Sequence, residues 1–212
     1  MSKSLSNMEL NLNQFSPVTQ SALQHFNLSA RQEKVSFEKG VWANETPPAG
    51  YIRLRGNAHN PAFLAATQAA LGAHIPCTAC TSIKTEFGSM YWLSIDEWLI
   101  VTSVESRATL QAKLEQSLKG IHSLVADQSG GMVTIKVLGK HAVDALSHCT
   151  VYDLHALKVG KVAGTSFGKL SVFLCADHDG YRLMFRRSFA DYIWRYLERA
   201  AEPYGFGIAN LS

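Results

Sequence analysis

The chain has 212 residues, 47% hydrophobic and 17% charged, the composition of a packed globular protein and a length that suits one large domain or two small ones. A formal net charge of +3 over this length, with no dense run of Lys and Arg, excludes the electrostatic footprint of a nucleic-acid or anionic-membrane binder. The first residues carry no apolar core of signal-peptide length, no apolar run approaches the about 18 residues of a membrane span, and four cysteines in so long a chain read as reduced thiols, so the expected compartment is the cytoplasm.

Residues 1–47 are polar and weakly patterned, with Ser16-Pro17, a short helix predicted around 19–25 and the Pro47-Pro48 break. Phe15, Leu23, Phe26, Phe37 and Trp42 are more apolar side chains than a spacer needs. The segment is therefore expected to be an N-terminal arm, packed on its own domain or on another chain. Residues 48–212 read as a single α+β domain.

In that domain, Tyr51-Ile52-Arg53-Leu54-Arg55 predicts a strand that Gly56 ends. Asn60-Pro61 starts a helix, with Asn60 as cap, Phe63, Leu64, Thr67 and Leu71 at helical spacing, and Gly72 as the stop. A strand is predicted over 81–87. A hairpin follows over 89–103, turning at Ser94-Ile95-Asp96-Glu97. The next helix runs over about 106–118, with Leu110, Leu114 and Leu118 on one face. An additional strand is expected near 123–127. The second unit has a strand ending at Gly139, a helix over 140–149, a strand near 163–168, a hairpin over 170–187 turning at Asp179-Gly180, and a helix over 188–202 that Pro203 ends.

The two units, about 50–122 and 123–205, repeat at an offset of 83 residues. Tyr51 to Gly56 falls on Thr134 to Gly139, Trp98 on Tyr181, Ile100 on Leu183, Val101 on Met184, Leu110 on Ile193 and Leu114 on Leu197. Each unit reads β-α-β-β-α. The expected fold is α+β, with mainly antiparallel sheets covered by helices and two copies about a pseudo-twofold axis that share one core.

Candidate chemistry is sparse. His74, Cys77 and Cys80 have metal-like spacing but need a fourth ligand, so no metal site is assigned; Cys149 and Cys175 read as core thiols. Asp96-Glu97 sits on a hairpin tip, where turn chemistry accounts for it. Asp127-Gln128-Ser129-Gly130-Gly131 precedes a strand, whereas a phosphate loop must open a helix. Eight scattered histidines form no catalytic set, and His155 reads as a structural hydrogen-bonding residue. Arg186 and Arg187, where a strand enters the last helix, are the partner-interface candidates, together with Ser16 and Pro17. One guanidinium there must face the covered side and needs a carboxylate or carbonyl. Ser188 and Asp191 have the spacing of a helix capping box. No catalytic and no cofactor-binding residue is assigned.

Several stretches carry a resemblance. They are YWLSIDEWLIVT at 91–102; Val125-Ala126-Asp127-Gln128-Ser129 before the strand that Gly139 ends; Asp153-Leu154-His155 after the helix; RRSFADYIWRYLERAA at 186–201; and Ser16-Pro17. In order and spacing they resemble the gamma subunit of heterotetrameric sarcosine oxidase, over about residues 15–205. The resemblance implies a fold like the folate-binding domain of the glycine-cleavage T-protein, which is internally duplicated. It implies a non-catalytic subunit packed against alpha, in a complex with alpha, beta and delta chains that oxidatively demethylates sarcosine to glycine. FAD, FMN, NAD, tetrahydrofolate and zinc would sit in those partner subunits, and no nucleic acid or membrane is expected. The alternative is a stand-alone folate-binding or aminomethyltransferase-like protein of the same superfamily.

Overall fold

A computed structural model describes residues 20–211. Ser16 and Pro17 lie outside the described residues. Two 3-10 turns, Gln24–Phe26 and Leu28–Arg31, stand near the helix predicted around 19–25. The strands β1 (Gln32–Glu33), β2 (Val41–Glu45) and β3 (Gly50–Gly56) follow. Asn60 caps helix α1 (Pro61–Leu71): its Oδ1 accepts the Ala62 N–H at 2.9 Å, Pro61 stands where no N–H is needed, and Gly72 closes the helix at φ 66°. β4 (Ser82–Thr85), β5 (Gly88–Ser94) and β6 (Glu97–Thr102) form a meander. Helix α2 (Val104–Ser117) starts two residues before its apolar spacing indicates, because Ser103 caps it and accepts the Ser106 N–H at 3.1 Å. Then come β7 (Ser123–Asp127), β8 (Met132–Leu138), α3 (Ala142–Ser147), β9 (Val162–Phe167), β10 (Leu170–Asp177), β11 (Gly180–Arg186), α4 (Ala190–Ala201) and β12 (Phe206–Ala209).

The strands form a five-stranded sheet, β4-β5-β6-β3-β7, and a seven-stranded sheet, β1-β12-β2-β8-β11-β10-β9. Pairing is antiparallel except where β12 lies parallel to β2 and to β1. The repeat is visible in space: β3, α1, β4-β5-β6 and α2 correspond in order to β8, α3, β9-β10-β11 and α4.

The strand that leads each unit crosses into the other unit's sheet. Val41 stands 83 residues before Leu124, so β2 and β7 occupy matching places in the sequence. β2 precedes β3 yet pairs with β8, placing Ala43 opposite Val137; β7 precedes β8 yet pairs with β3, placing Ala126 opposite Arg53. Residues 41–45 therefore have a counterpart in the repeat, contrary to the sequence expectation. Their β-branched and aromatic content reads as a strand, but a partner about 90 residues away leaves no local trace.

The single shared core expected from the repeat is instead three apolar layers. Ile52, Leu54, Phe63, Trp98, Ile100 and Leu114 join the five-stranded sheet to α1 and α2. Ile135, Val137, Leu183, Ile193, Trp194 and Leu197 join the other sheet to α3 and α4. Tyr51, Tyr91, Leu99, Met132, Cys175 and Met184 fill the space between the sheets. Strand alternation produces this division, since Ile52 and Leu54 point at helices while Tyr51, between sheets, points the other way. Tyr51 Oη and Thr134 Oγ1, repeat mates 83 residues apart, meet at 2.7 Å, so the pseudo-twofold axis passes between them.

Candidate functional site

The two arginines at the end of β11 part company. Arg186 is exposed, whereas Arg187, in a 3-10 turn with Ser188 and Phe189, donates to the Gln20 carbonyl. The capping box expected from Ser188 and Asp191 does not form. Phe189 occupies the N-cap of α4 with no side-chain cap bond, because the preceding 3-10 turn satisfies the Ala190 N–H through the Arg187 carbonyl. Asp191 is turned outward instead. It accepts from Arg195 Nε at 3.0 Å and lies 2.7 Å from His25 Nε2. Those two partners, Arg195 foremost, hold its carboxyl below the usual range.

Asp191 thereby fastens residues 20–31 to α4. Arg31 reaches Glu198 at 3.3 Å, and Phe26 lies between Trp194, 6.0 Å away, and the Arg195 guanidinium, 5.0 Å away. This packing leaves an open cleft of about 1010 Å³ between Gln20, Ser21, Gly130, Gly131, Arg186 and Arg187.

A second cleft, of about 490 Å³, opens between the sheets and is lined by Tyr51, Tyr91, Thr134, Lys136, Asp179 and Arg182. Arg182 Nε approaches Asp177 to 2.6 Å; the approach is too bent for a hydrogen bond, so it acts as an ion pair. Arg182 also reaches the Tyr91 hydroxyl at 3.5 Å. Lys136 pairs with Asp179 at 2.6 Å. Burial raises the phenol pKa of both Tyr51 and Tyr91. Two cations facing two carboxylates leave the cleft balanced, suited to hydrogen bonding and holding no activated nucleophile.

Sequence reasoning passed over these ion pairs. Asp96, read as a turn residue, takes Arg55, and Glu97 takes Arg53 at 2.9 Å. Arg53 and Lys136 are repeat mates, both cations paired to a carboxylate near a hairpin turn. A basic residue at the same place in both copies was the available signal.

The polar loop before β8 is structural. Asp127 Oδ1 accepts the Ser129 N–H at 2.9 Å and the Ser129 hydroxyl, while Ser129 Oγ accepts the Tyr51 N–H at 2.9 Å. Asp153 accepts the His155 N–H at 3.0 Å in a turn. Ile75 and Pro76 serve the core, the Pro76 carbonyl taking the buried Trp98 indole N–H at 2.8 Å, whereas Cys77 and Cys80 are exposed. Among the described residues no three His, Cys, Asp or Glu side chains converge on a common point, His74, Cys77 and Cys80 included.

The sequence pattern of the sarcosine oxidase, gamma subunit family matches residues 55–202, from within β3 to just past α4. The chain belongs to that family. No curated protein matches it in sequence. Among solved structures it is similar to a chain of the heterotetrameric sarcosine oxidase from Corynebacterium sp. U-96 in complex with pyrrole 2-carboxylate, at 22% identity and TM-score 0.79, over 92% of this chain and 99% of that one. It is also similar to the glycine cleavage system aminomethyltransferase T from Bartonella henselae, at 13% identity and TM-score 0.63, over 84% of this chain and 56% of that one. The duplicated α+β fold of this gamma-family chain is thus shared with the T-protein. The Asp127–Ser129 loop and the Asp153-Leu154-His155 turn lie inside the family-matched stretch, and both have structural roles.

Proposed function

We propose that this chain is the non-catalytic gamma subunit of a heterotetrameric sarcosine oxidase and packs against the alpha subunit of that complex. The observation that carries the reading is the family match over residues 55–202. The complex demethylates sarcosine oxidatively to glycine, with FAD, FMN, NAD, tetrahydrofolate and zinc held by the alpha, beta and delta subunits. The described residues do not form a phosphate-binding helix opening or a metal cluster of the usual kind. The glycine pair at 130–131 leads into a strand rather than a helix N-terminus, and the described acidic, His and Cys side chains do not converge.

Docking falls to the cleft beside Arg186, at the corner where the N-terminal arm meets α4. Arg187 is occupied by the Gln20 carbonyl, so Arg186 supplies the outward guanidinium. Co-expression with candidate alpha, beta and delta chains, followed by size-exclusion chromatography and a sarcosine turnover assay, tests the proposal. This chain is expected to co-elute at equal stoichiometry. An active complex that assembles fully without it sinks the reading.

The cleft between the sheets favours one alternative, a stand-alone folate-binding or aminomethyltransferase-like protein of the same fold, in which Arg182 would meet a carboxylate of the ligand. Calorimetric titration with tetrahydrofolate separates the two: the gamma-subunit reading expects no heat.

A further inference from the structure

Cys77-Thr78-Ala79-Cys80 plays no part in the proposed function. Both of its thiols are exposed, whereas Cys149 and Cys175 are buried. Burial pushes the Cys149 thiol up to about 12 and raises the Cys175 thiol as well. Neither of those two forms the reactive thiolate near neutral pH. The four cysteines thus divide into an inert pair in the core and an accessible pair three residues apart.

The accessible segment is anchored at both ends. Before it, the Pro76 carbonyl accepts the Trp98 indole N–H at 2.8 Å. At its end, the Cys80 carbonyl accepts the Val162 N–H at 3.0 Å, and the next residue, Thr81, bridges to Lys161. The segment therefore stands where β4 of one sheet meets β9 of the other. Between the anchors the chain bends at Thr78 and turns through Ala79 and Cys80. The Thr81 hydroxyl closes the turn by donating to the Thr78 carbonyl at 2.6 Å. Folding back over four residues draws the two cysteine Cα atoms toward the roughly 4.4–6.8 Å that a disulfide spans. Cys80 stands at φ 57°, in the left-handed region, and Asn27 is the only other non-glycine there among the described residues. Glycine would adopt that backbone without strain, yet the residue present carries a thiol. Cys77 Sγ rests on the Ile75 carbonyl at 3.5 Å, a weak bond that an exposed side chain breaks by turning about χ1.

We infer that Cys77 and Cys80 form a redox-active dithiol, which hydrogen peroxide oxidises to a disulfide within the chain and a thiol reductant restores. One thiolate attacks a peroxide oxygen, breaks the O–O bond and becomes a sulfenic acid, and the hydroxide released takes up a proton to leave as water. The second thiol attacks the sulfenic sulfur, the S–S bond forms, and the second oxygen leaves as water. Together the sulfurs give up two electrons and two protons, and peroxide accepts both. In a reducing compartment such a bridge is transient and acts as a sensor. Its position couples it to the fold, because a ring closed at Cys80 stiffens the joint between the sheets. The inference is independent of the gamma-subunit reading.

The test treats the reduced full chain, freed of reductant, with hydrogen peroxide under native conditions and follows intact mass and peptide maps. The wild type is expected to lose two hydrogens, to carry the bridge between Cys77 and Cys80, and to recover its starting mass in dithiothreitol. Alkylation of both residues in the folded protein should fall about tenfold or more on oxidation, with Cys149 and Cys175 unlabelled throughout. Cys77→Ser and Cys80→Ser are each expected to add oxygen at the remaining exposed thiol, or to dimerise through it, without an internal bridge. Cys80→Gly suits the left-handed backbone and serves if Cys80→Ser fails to fold. Hydrogen exchange of the Val162 amide should slow severalfold on oxidation of the wild type and stay unchanged in the variants. Separate oxygen uptake at the two sulfurs, bridges between chains, a bridge to a core cysteine, or thiols that do not react would each overturn the dithiol. A bridge that forms with Val162 exchange unaltered would overturn its coupling to the joint.

Discussion

Tyr51 shows how one side chain can bind two halves of a duplicated chain. Its ring lies in the layer between the sheets, its hydroxyl meets Thr134 at 2.7 Å, and its N–H is taken by Ser129 at 2.9 Å. Tyr51→Phe keeps the ring and deletes the hydroxyl, leaving the buried Thr134 with one partner fewer; stability measured by urea denaturation is expected to fall by about 1 kcal/mol. The phenol pKa is raised by burial, so the neutral phenol stabilises the fold fully below the ordinary tyrosine pKa and loses that contribution as pH climbs through the raised one. The wild type should therefore lose stability above about pH 10, and Tyr51→Phe should lose less over the same range. An identical alkaline profile in the two proteins would contradict this. The strand around Tyr51 was legible in the sequence, since β-branched and aromatic residues followed by glycine sufficed. Its hydroxyl partner was also within reach, because Thr134 is its repeat mate.

At the scale of elements, α4 illustrates both what local pattern reveals and where it stops. Ile193, Trp194 and Leu197 fall on one face at helical spacing and are fully buried, as their sequence indicates. The Ser188–Asp191 spacing was misleading, because a 3-10 turn satisfies the first helical N–H groups and leaves Asp191 for His25 and Arg195. Asp191→Ala is expected to loosen residues 20–31 from α4 with the remainder intact, visible as faster limited proteolysis in that segment at unchanged helicity. The carboxyl pKa is depressed, so its hold is complete above the ordinary Asp value, about 4, and is lost as pH falls through the depressed one. Proteolysis of the wild type should therefore approach that of the variant only in strong acid. Equal rates for the two proteins at neutral pH would show that apolar packing of Phe26 alone holds the segment.

For the whole molecule, the exchange of leading strands makes each half incomplete. Fragments divided between His122 and Ser123, the repeat boundary, would leave the first half without β7 and the second without β2. Each fragment alone is expected to lack a cooperative unfolding transition, and mixing the two should restore one. Cooperative unfolding of either fragment by itself would show that the exchanged strand is dispensable. The sequence by itself determined the α+β class, the duplication and most helices and hairpins, because these rest on spacing over a few residues and on Asn, Ser, Gly and Pro at their ends. Only the tertiary structure decided that β2 and β7 trade sheets, that β12 covers β2 while no described strand lies beyond β7, and that Arg187 turns to the Gln20 carbonyl while Arg186 faces solvent. Those choices depend on which distant edges meet when the two halves pack, and a strand's own residues encode its extended shape without naming its neighbour.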